Sequence, residues 1–365
     1  MANRLAALTS LRFLAAAAIV YHHVMGAWAF PRVPQFHFAQ GVSFFFVLSG
    51  FILTYRYPVL RDWREIRRFW LARFARIWPA HATSLVIVVA TATAILSSFD
   101  GTNLPFYVAT NLLMVQSWIP SKAAVSLNGP SWSISTEFAF YLMFPLLISN
   151  FARTWHIKLV GAIMLSFLIV AESFALGIDW DHGAFPVIVG FPLTRLFEFV
   201  LGMCAALLWR RLPAIHVGPV YGSAFELAAL GFVVLASHLA VRVPNPGSAP
   251  SAWLAICALP SVPAALLIVA MAMNRGVISR ALSFPAAVFL GEISYSIYLL
   301  HGLIAYVLFF RLPQMSAAQI SAAYIATLLA AAAATWYFVE RPARIALTSG
   351  ASIRRRSPEI VPEIP

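Results

Sequence analysis

Apolar residues fall into long runs that cover almost the whole sequence, and short polar segments separate these runs. A transmembrane helix needs about 20 predominantly apolar residues, and ten runs reach that length. The pattern predicts an all-α membrane protein, a bundle of about ten transmembrane helices. The predicted spans cover residues 6–29, 40–57, 79–98, 132–150, 156–177, 186–209, 218–241, 252–274, 284–310 and 317–340.

One further apolar stretch, residues 104–119, is interrupted by polar and helix-breaking residues. It contains Pro105, Asn111 and Gln116, and polar side chains are costly in lipid. We therefore expect a half-buried or interfacial segment here instead of an eleventh span.

Composition supports a single membrane domain. Hydrophobic residues make up 61 % of the 365 residues and charged residues only 10 %, whereas soluble domains carry about 25 % charged residues. The hydropathy extends over residues 1–345, so we expect one transmembrane domain there. Residues 346–365 mix arginine, proline and acidic residues, which predicts a disordered cytoplasmic tail.

The distribution of basic residues predicts the orientation. With the N-terminus in the cytoplasm, 19 of the 25 lysine and arginine residues fall on the cytoplasmic side, four fall outside, and Arg12 and Arg195 lie within spans. This is the asymmetry that the positive-inside rule describes. It predicts a multi-pass inner-membrane protein with both termini in the cytoplasm. The net charge of +12 then fits contact with membrane lipids and not with nucleic acid.

Two ionisable residues in the first span share a helix face. Arg12 and His23 are eleven residues apart, close to three full turns, with a rise of about 16 Å. His22 points roughly 80° away from Arg12. Ionisable residues inside a span suggest a functional site, although buried polar residues that bond to neighbouring helices would give the same pattern.

Two more titratable residues are expected in the outer half of the membrane, at a depth similar to that of His23. Glu137 follows Trp132 early in the fourth span, and His301 comes late in the ninth span. The alternatives are an interfacial carboxylate beside an aromatic-belt tryptophan and an interfacial histidine.

Two further pairs of residues suggest definite roles. Arg73 and Arg76 are neighbours on a helix if their segment is helical, and paired guanidinium groups suit phosphate binding. Such a basic segment can alternatively set topology and contact anionic lipid. Arg195 and Glu198, three residues apart in the sixth span, predict an internal ion pair. The spacing of Cys204 and Cys257 does not match a metal site, so no metal is expected.

Several blocks of sequence resemble the membrane-bound acyltransferase-3 family. The family has an arginine and a histidine separated by ten residues in its first helix, and only His23 has that spacing from Arg12. A serine, Ser43, stands where members usually have aspartate. The other similar blocks are Gly41–Phe51, Arg73–Pro79, Trp132–Glu137, Arg195–Met203, Ser294–His301 and Glu340–Pro342.

The resemblance extends over residues 5 to 344 and implies an O-acyltransferase. The implied donor is cytoplasmic acyl-CoA, taken as acetyl-CoA, and the implied acceptor is a hydroxyl of an extracytoplasmic or lipid-linked carbohydrate. Other members of the family acylate small molecules such as macrolides, so the resemblance leaves the acceptor open. His23 is then the expected general base or acyl carrier, because histidine titrates near neutral pH. Arg73 and Arg76 would hold the phosphates of CoA. Arg12 would contact the donor's pantetheine arm or the thioester oxygen, or it would orient the helix. Glu137 and His301 would orient His23 or the acceptor hydroxyl.

Two other classes of membrane protein fit parts of this pattern. A transporter or flippase of a glycan or small molecule would also bury charges in ten helices, but transporters commonly contain two repeated halves. The sequence shows no such repeat. A receptor-like or scaffold protein leaves His23, Glu137 and His301 unexplained.

Overall fold

The computed structural model describes residues 5–91, 103–119, 121–179, 183, 185–211, 218–311 and 315–349. Within these residues, ten helices are long and apolar enough to cross a membrane. No β-strand occurs in the described ranges. The prediction of an all-α bundle of about ten transmembrane helices is confirmed.

Fourteen α-helices form the described bundle, and twelve of them build the ten spans, because α9 with α10 and α13 with α14 each share one span. The helices are α1 (Ala6–Val24), α2 (Gly41–Arg56), α3 (Trp63–Thr91), α4 (Leu104–Leu112), α5 (Trp132–Ile148), α6 (Phe151–Ala175), α7 (Pro192–Arg211), α8 (Pro219–Ala240), α9 (Ala249–Trp253), α10 (Leu259–Met273), α11 (Val277–Leu282), α12 (Pro285–Arg311), α13 (Ala317–Thr335) and α14 (Arg341–Ser349). Three spans also contain π-helical turns, at Phe185–Gly190, Leu254–Ala258 and Trp336–Glu340.

The arginine-rich segment before Pro79 is not a loop, as the span boundaries predicted, but the first half of α3. The helix begins at Trp63 and continues through Pro79 to Thr91. Its first half is too charged to register as an apolar run, which is why the predicted span started late. Proline inside a membrane helix is tolerated where neighbouring groups satisfy the freed backbone groups. Close to Pro79, Tyr295 of α12 donates a hydrogen bond to Ile77 O at 2.8 Å and so joins this part of α3 to α12.

Glycines allow two pairs of helices to pack backbone to backbone. A Cβ at Gly50 of α2 would lie 1.9 Å from Phe199 O of α7, and a Cβ at Gly202 of α7 would lie 1.9 Å from Val47 O. A Cβ at Gly291 of α12 would meet α1 at the same distance. Small residues commonly permit such close approach in membrane helices. These contacts fix α1, α2, α7 and α12 around the site described below.

The segment between α3 and α5 folds into the bundle. Asn111 O lies 2.8 Å from His81 Nε2, and Asn128 donates to Leu299 O at 3.0 Å. Both asparagines are buried. Asn111 lies within the stretch 104–119, so that stretch is partly buried in the bundle. Helix α5 begins inside the bundle, because Trp132, its first residue, is already buried.

The two ends of the described chain lie at the same end of the bundle. Leu5, before α1, and Thr348, in α14, line one cavity. Residues 341–349 are helical. The rest of the predicted disordered tail, residues 350–365, lies outside the described residues, as do residues 92–98 of the third predicted span.

Candidate active site

Two histidines, one on α1 and one on α12, face each other near one end of the bundle. His301 Nε2 lies 3.3 Å from His23 Nδ1, and the ring centroids are 4.9 Å apart. His301 is fully buried, whereas His23 keeps an exposed surface. The structure thus brings together two of the predicted site residues, which we call the histidine pair.

Backbone carbonyls determine the tautomer of both rings. His23 Nδ1 lies 2.8 Å from Ile19 O, and His301 Nδ1 lies 2.5 Å from Tyr298 O. A carbonyl oxygen can only accept, so each neutral ring carries its proton on Nδ1. His301 Nε2 therefore has a lone pair that can share the His23 Nδ1–H with Ile19 O, as the more distant of two acceptors. His23 Nε2 also has a lone pair, and it has no hydrogen-bond partner within the described residues.

His22 lies beside His23, with ring centroids 5.4 Å apart in an edge-to-face arrangement, and also faces the connection between α1 and α2. Its ring stacks on His37 with centroids 5.6 Å apart. Nδ1 of each ring is buried and has no hydrogen-bond partner in the described part of the chain. Burial lowers the pKa of His37, so its ring is neutral at neutral pH. His37 could not be predicted as part of this region, because nothing in its local sequence pattern indicates that it folds back onto α1.

Arg12 lies where two cavities meet. The narrow cavity has a volume of about 140 Å³, the wide cavity has a volume of about 510 Å³, and both are lined by Arg12, Leu48, Ile52, Arg73 and Arg76. Among the described residues, Arg12 has no hydrogen-bond or ion-pair partner. Its guanidinium group is therefore available to a ligand in either cavity.

The narrow cavity contains a carboxylate. Glu137 Oε1 accepts hydrogen bonds from Ser49 at 2.9 Å and from Tyr141 at 2.5 Å. Glu137 also interacts electrostatically with Arg12. The far end of the cavity is lined by Phe45, Ser133 and Tyr298. Tyr298 is the residue whose carbonyl binds His301, so this cavity ends one helical turn from the histidine pair.

The expected depth of Glu137 is wrong. Glu137 shares the narrow cavity with Arg12, Arg73 and Arg76 and makes no contact with His23. The physical reason is the recessed start of α5. Near that start, Ser133 already hydrogen-bonds to the hydroxyl of Tyr298 at 2.8 Å, and Glu137 lies one further turn away from the histidine pair.

The wide cavity is strongly basic. Its lining includes one acidic residue, Glu292, among the described residues. Six arginines from four helices face it: Arg12, Arg56, Arg68, Arg73, Arg76 and Arg344. Arg12, Arg73 and Arg76 were predicted as site residues from the sequence. Arg56, Arg68 and Arg344 were not, because nothing in the sequence shows that they converge.

Arg73 and Arg76 are not equivalent. Arg76 forms an ion pair with Glu340 at 3.1 Å, and the other oxygen of Glu340 accepts from Ser296 at 2.5 Å. Arg73 has no ion-pair partner within the described residues, and its buried Nε has no hydrogen-bond partner there. Of these two residues, Arg73 is therefore the one that is free to bind an anion.

The predicted ion pair between Arg195 and Glu198 is confirmed. Arg195 Nε lies 2.7 Å from Glu198 Oε2, and both side chains are fully buried. Arg195 also donates to Ser43 at 2.9 Å, and Ser43 donates to Ile256 O at 2.9 Å. A buried charge needs such partners, so this cluster is a structural link between α2, α7 and the turn before α10.

Comparison with known proteins identifies the family. A family model described as an acyltransferase domain, of the acyltransferase-3 family, matches residues 5–336. The chain is 33 % identical over 330 residues to the acyltransferase MdmB of Streptomyces mycarofaciens, a match that covers 82 % of this chain and 79 % of that protein.

Two other relatives are more distant. The peptidoglycan O-acetyltransferase OatA of Listeria monocytogenes is 25 % identical, and the match covers 80 % of this chain but only 48 % of OatA. The exopolysaccharide production protein ExoZ of Rhizobium meliloti is 29 % identical, with 72 % of this chain and 75 % of ExoZ covered. No solved structure matches the chain. The match over nearly the whole chain shows that this protein belongs to the acyltransferase-3 family and is an enzyme that transfers acyl groups.

Proposed function

We propose that the protein moves an acetyl group from acetyl-CoA to a hydroxyl of a carbohydrate, either extracytoplasmic or linked to a lipid. The observation that carries this proposal is the pair of joined cavities. They lead from six arginines to Tyr298, one turn from the histidine pair. Acetyl-CoA is a thioester with a phosphorylated nucleotide and a long pantetheine arm. Its phosphates match the arginines, and its arm matches the narrow cavity.

The donor binds with its phosphates in the wide cavity and its pantetheine arm in the narrow one. Guanidinium groups bind phosphate oxygens strongly, and Arg73 is free to do so. Arg12 lies about 16 Å along α1 from His23, a distance that an arginine side chain cannot span. Arg12 therefore contacts the donor's diphosphate or arm, not a thioester oxygen that has reached His23.

His23 performs the proton transfer. Its Nε2 lone pair takes the proton of the acceptor hydroxyl while the hydroxyl oxygen attacks the thioester carbon. The carbon–sulfur bond then breaks, and the proton ends on the CoA thiol. His301 Nε2 is the second acceptor of His23 Nδ1–H, beside Ile19 O, and so helps to stabilise the positive charge that His23 gains. In the acyl-carrier variant of this mechanism, the same Nε2 first attacks the thioester.

The acyl group reaches His23 past two aromatic rings. Phe45 and Tyr298 have ring centroids 6.2 Å apart and line the end of the narrow cavity. These rings must separate when the donor arm extends towards the histidine pair. Glu137 lies on the donor side of that point, so its proposed role is to hold Arg12 and the arm in place.

The proposed orientation puts the arginine end in the cytoplasm of the cell, at the inner membrane, where acyl-CoA is found. Both described ends of the chain are at that end, and the distribution of basic residues favours it. His23, His22 and His37 then face the outer side. The carbohydrate acceptor is supported by OatA, whose name specifies peptidoglycan, and by ExoZ, whose name specifies exopolysaccharide production.

Radiolabelled acetyl-CoA tests the proposal. Membranes that contain the protein are incubated with acetyl-CoA labelled in the acetyl group, and label is sought on glycan, lipid and protein. We expect ester-linked label and release of CoA, both absent in membranes with an equal amount of the His23→Ala variant. Equal label and CoA release in the two membranes would overturn the proposal.

A further inference from the structure

The wide cavity holds more positive charge than its neighbouring residues neutralise. Arg76 is paired with Glu340, but Arg56, Arg68 and Arg344 make no side-chain hydrogen bond or ion pair with any described residue. Arg344 also interacts electrostatically with two arginines, Arg76 and Arg56, and with two carboxylates, Glu340 and Glu292, but Glu340 is already paired with Arg76. Like charges that converge without partners repel one another, so this arrangement favours a ligand with several negative charges.

The arginines form two tiers along the cavities. Arg12, Arg73 and Arg76 line both cavities and make up the inner tier, whereas Arg56, Arg68 and Arg344 line only the wide cavity and make up the outer tier. Helix positions agree with this order.

Three helices place the outer tier further from the narrow cavity. Arg56 lies seven residues beyond Ser49 on α2, about 10 Å along the axis. Arg68 lies five residues before Arg73 on α3, about 8 Å away. Arg344 follows Glu340, the partner of Arg76, by four residues and is carried by α14.

The chemistry of CoA also has two tiers. The pantetheine arm is attached to the 5′-diphosphate, and the 3′-phosphate lies beyond it on the ribose. When the arm occupies the narrow cavity, the diphosphate meets the inner tier. The 3′-phosphate is then the anionic group left to meet the outer tier.

We propose that Arg56, Arg68 and Arg344 form a site for the 3′-phosphate of CoA, an inference that rests on the proposed donor. Arg344 lies beyond residue 336, where the match to the family model ends. The helix α14 therefore adds a specificity element to the acyltransferase domain. It makes the enzyme prefer CoA thioesters over thioesters that lack the 3′-phosphate.

A donor series tests this site. The KM of the purified full-length protein in detergent is measured for acetyl-CoA and for acetyl-dephospho-CoA, with CoA-thiol release as the readout. A charged hydrogen bond contributes enough to change affinity about tenfold or more. We expect wild type to show a KM about tenfold lower for acetyl-CoA. The Arg344→Gln variant should lose most of that preference with kcat little changed.

Two further variants separate charge from folding. Arg344→Lys retains the positive charge and should retain part of the preference. Arg341→Gln removes a charge from the same helix, but Arg341 stacks over Trp336 at 5.7 Å and does not line the wide cavity. This control should keep the full preference of wild type.

Three results would overturn the inference. In the first, wild type has the same KM for the two donors. In the second, the Arg344→Gln variant keeps the wild-type preference. In the third, Arg341→Gln loses as much of the preference as Arg344→Gln does. If Arg344 instead binds an anionic lipid headgroup, Arg344→Gln affects both donors equally, which also contradicts a 3′-phosphate site. Failure of the proposed function is distinguishable, because wild type would then release no CoA from either donor.

Discussion

His301 Nε2 lies 3.3 Å from His23 Nδ1, and this contact joins α12 to α1 at the proposed reaction centre. Each ring is held by a carbonyl one turn earlier on its own helix, that of Ile19 for His23 and that of Tyr298 for His301. The two carbonyls leave His23 with its lone pair on Nε2. In the proposed mechanism His301 is a positioning residue for His23, and Tyr298 lies between His301 and the narrow cavity.

Removal of His301 should slow the chemical step. In the His301→Ala variant, His23 Nδ1–H keeps Ile19 O as an acceptor but loses His301 Nε2, and a hydrogen bond to a charged group contributes about 1.5–3 kcal/mol. We expect kcat to fall about tenfold or more, with the KM for acetyl-CoA nearly unchanged. Steady-state kinetics measure both. His156→Ala, at an exposed site on α6, is the matched control and should behave as wild type. An unchanged kcat in His301→Ala would contradict the role of the pair.

The two arginines of α3 should fail in different ways. Arg73 has no ion-pair partner within the described residues, so Arg73→Gln should raise the KM for acetyl-CoA about tenfold with normal protein abundance. Arg76→Gln leaves the buried Glu340 without its cation, and breaking a buried pair costs about 3–5 kcal/mol. It should therefore lower the amount of folded protein.

Abundance in the membrane and donor kinetics distinguish the two effects. Arg64→Gln, on the exposed part of the same helix, is the control for charge and should change neither quantity. If the Arg73→Gln variant has the same acetyl-CoA kinetics as wild type, the basic segment of α3 has only a topological role.

The contact between α2 and α7 should be intolerant of a single methyl group. A Cβ at Gly202 would lie 1.9 Å from Val47 O, so the helices must separate in Gly202→Ala, and overpacking costs about 1–3 kcal/mol. We expect a lower thermal unfolding temperature in detergent. Gly231→Ala on α8 meets no atom within 4 Å and should unfold as wild type does. Equal stability of the two variants would show that α2 and α7 pack less closely than described.

Cysteine labelling tests the orientation. After Cys204 and Cys257 are replaced by serine, a single cysteine is introduced at Arg64, at the arginine end, or at Pro246, in the connection between α8 and α9. Arg64→Cys should react with a membrane-impermeant reagent only after the membrane is opened, and Pro246→Cys should react in intact cells. Reaction of both cysteines from the same side would contradict the ten-span topology.

The spans could be predicted from the sequence because the length of an apolar run directly reflects membrane thickness. The face shared by Arg12 and His23 and the pair of Arg195 with Glu198 follow from helical periodicity alone. The first half of α3 was missed for a physical reason. Several arginines of this half face a basic cavity inside the bundle. The segment is therefore as rich in charge as a loop, although it is helical and continues into the membrane.

The arrangement of the site depends on contacts between distant segments, which the sequence does not display. Glu137 is near Arg12 because α5 starts inside the bundle. His37 stacks on His22 because the connection after α1 folds back. The outer arginine tier needs three separate helices to converge. Each of these features is set by tertiary packing, and no local pattern of polar and apolar positions encodes it.

The most direct test of the account compares His23→Ala with His22→Ala. The two residues are adjacent, but His23 contacts His301 and His22 stacks on His37. Turnover of acetyl-CoA is measured for both variants at matched membrane abundance. His23→Ala should lose activity by about 10²–10⁴-fold or more, and His23→Gln should fail as well, because an amide cannot take up a proton. His22→Ala should retain most of the activity. Near-normal turnover in His23→Ala, or a loss confined to His22→Ala, would contradict the assignment of His23 as the base or acyl carrier.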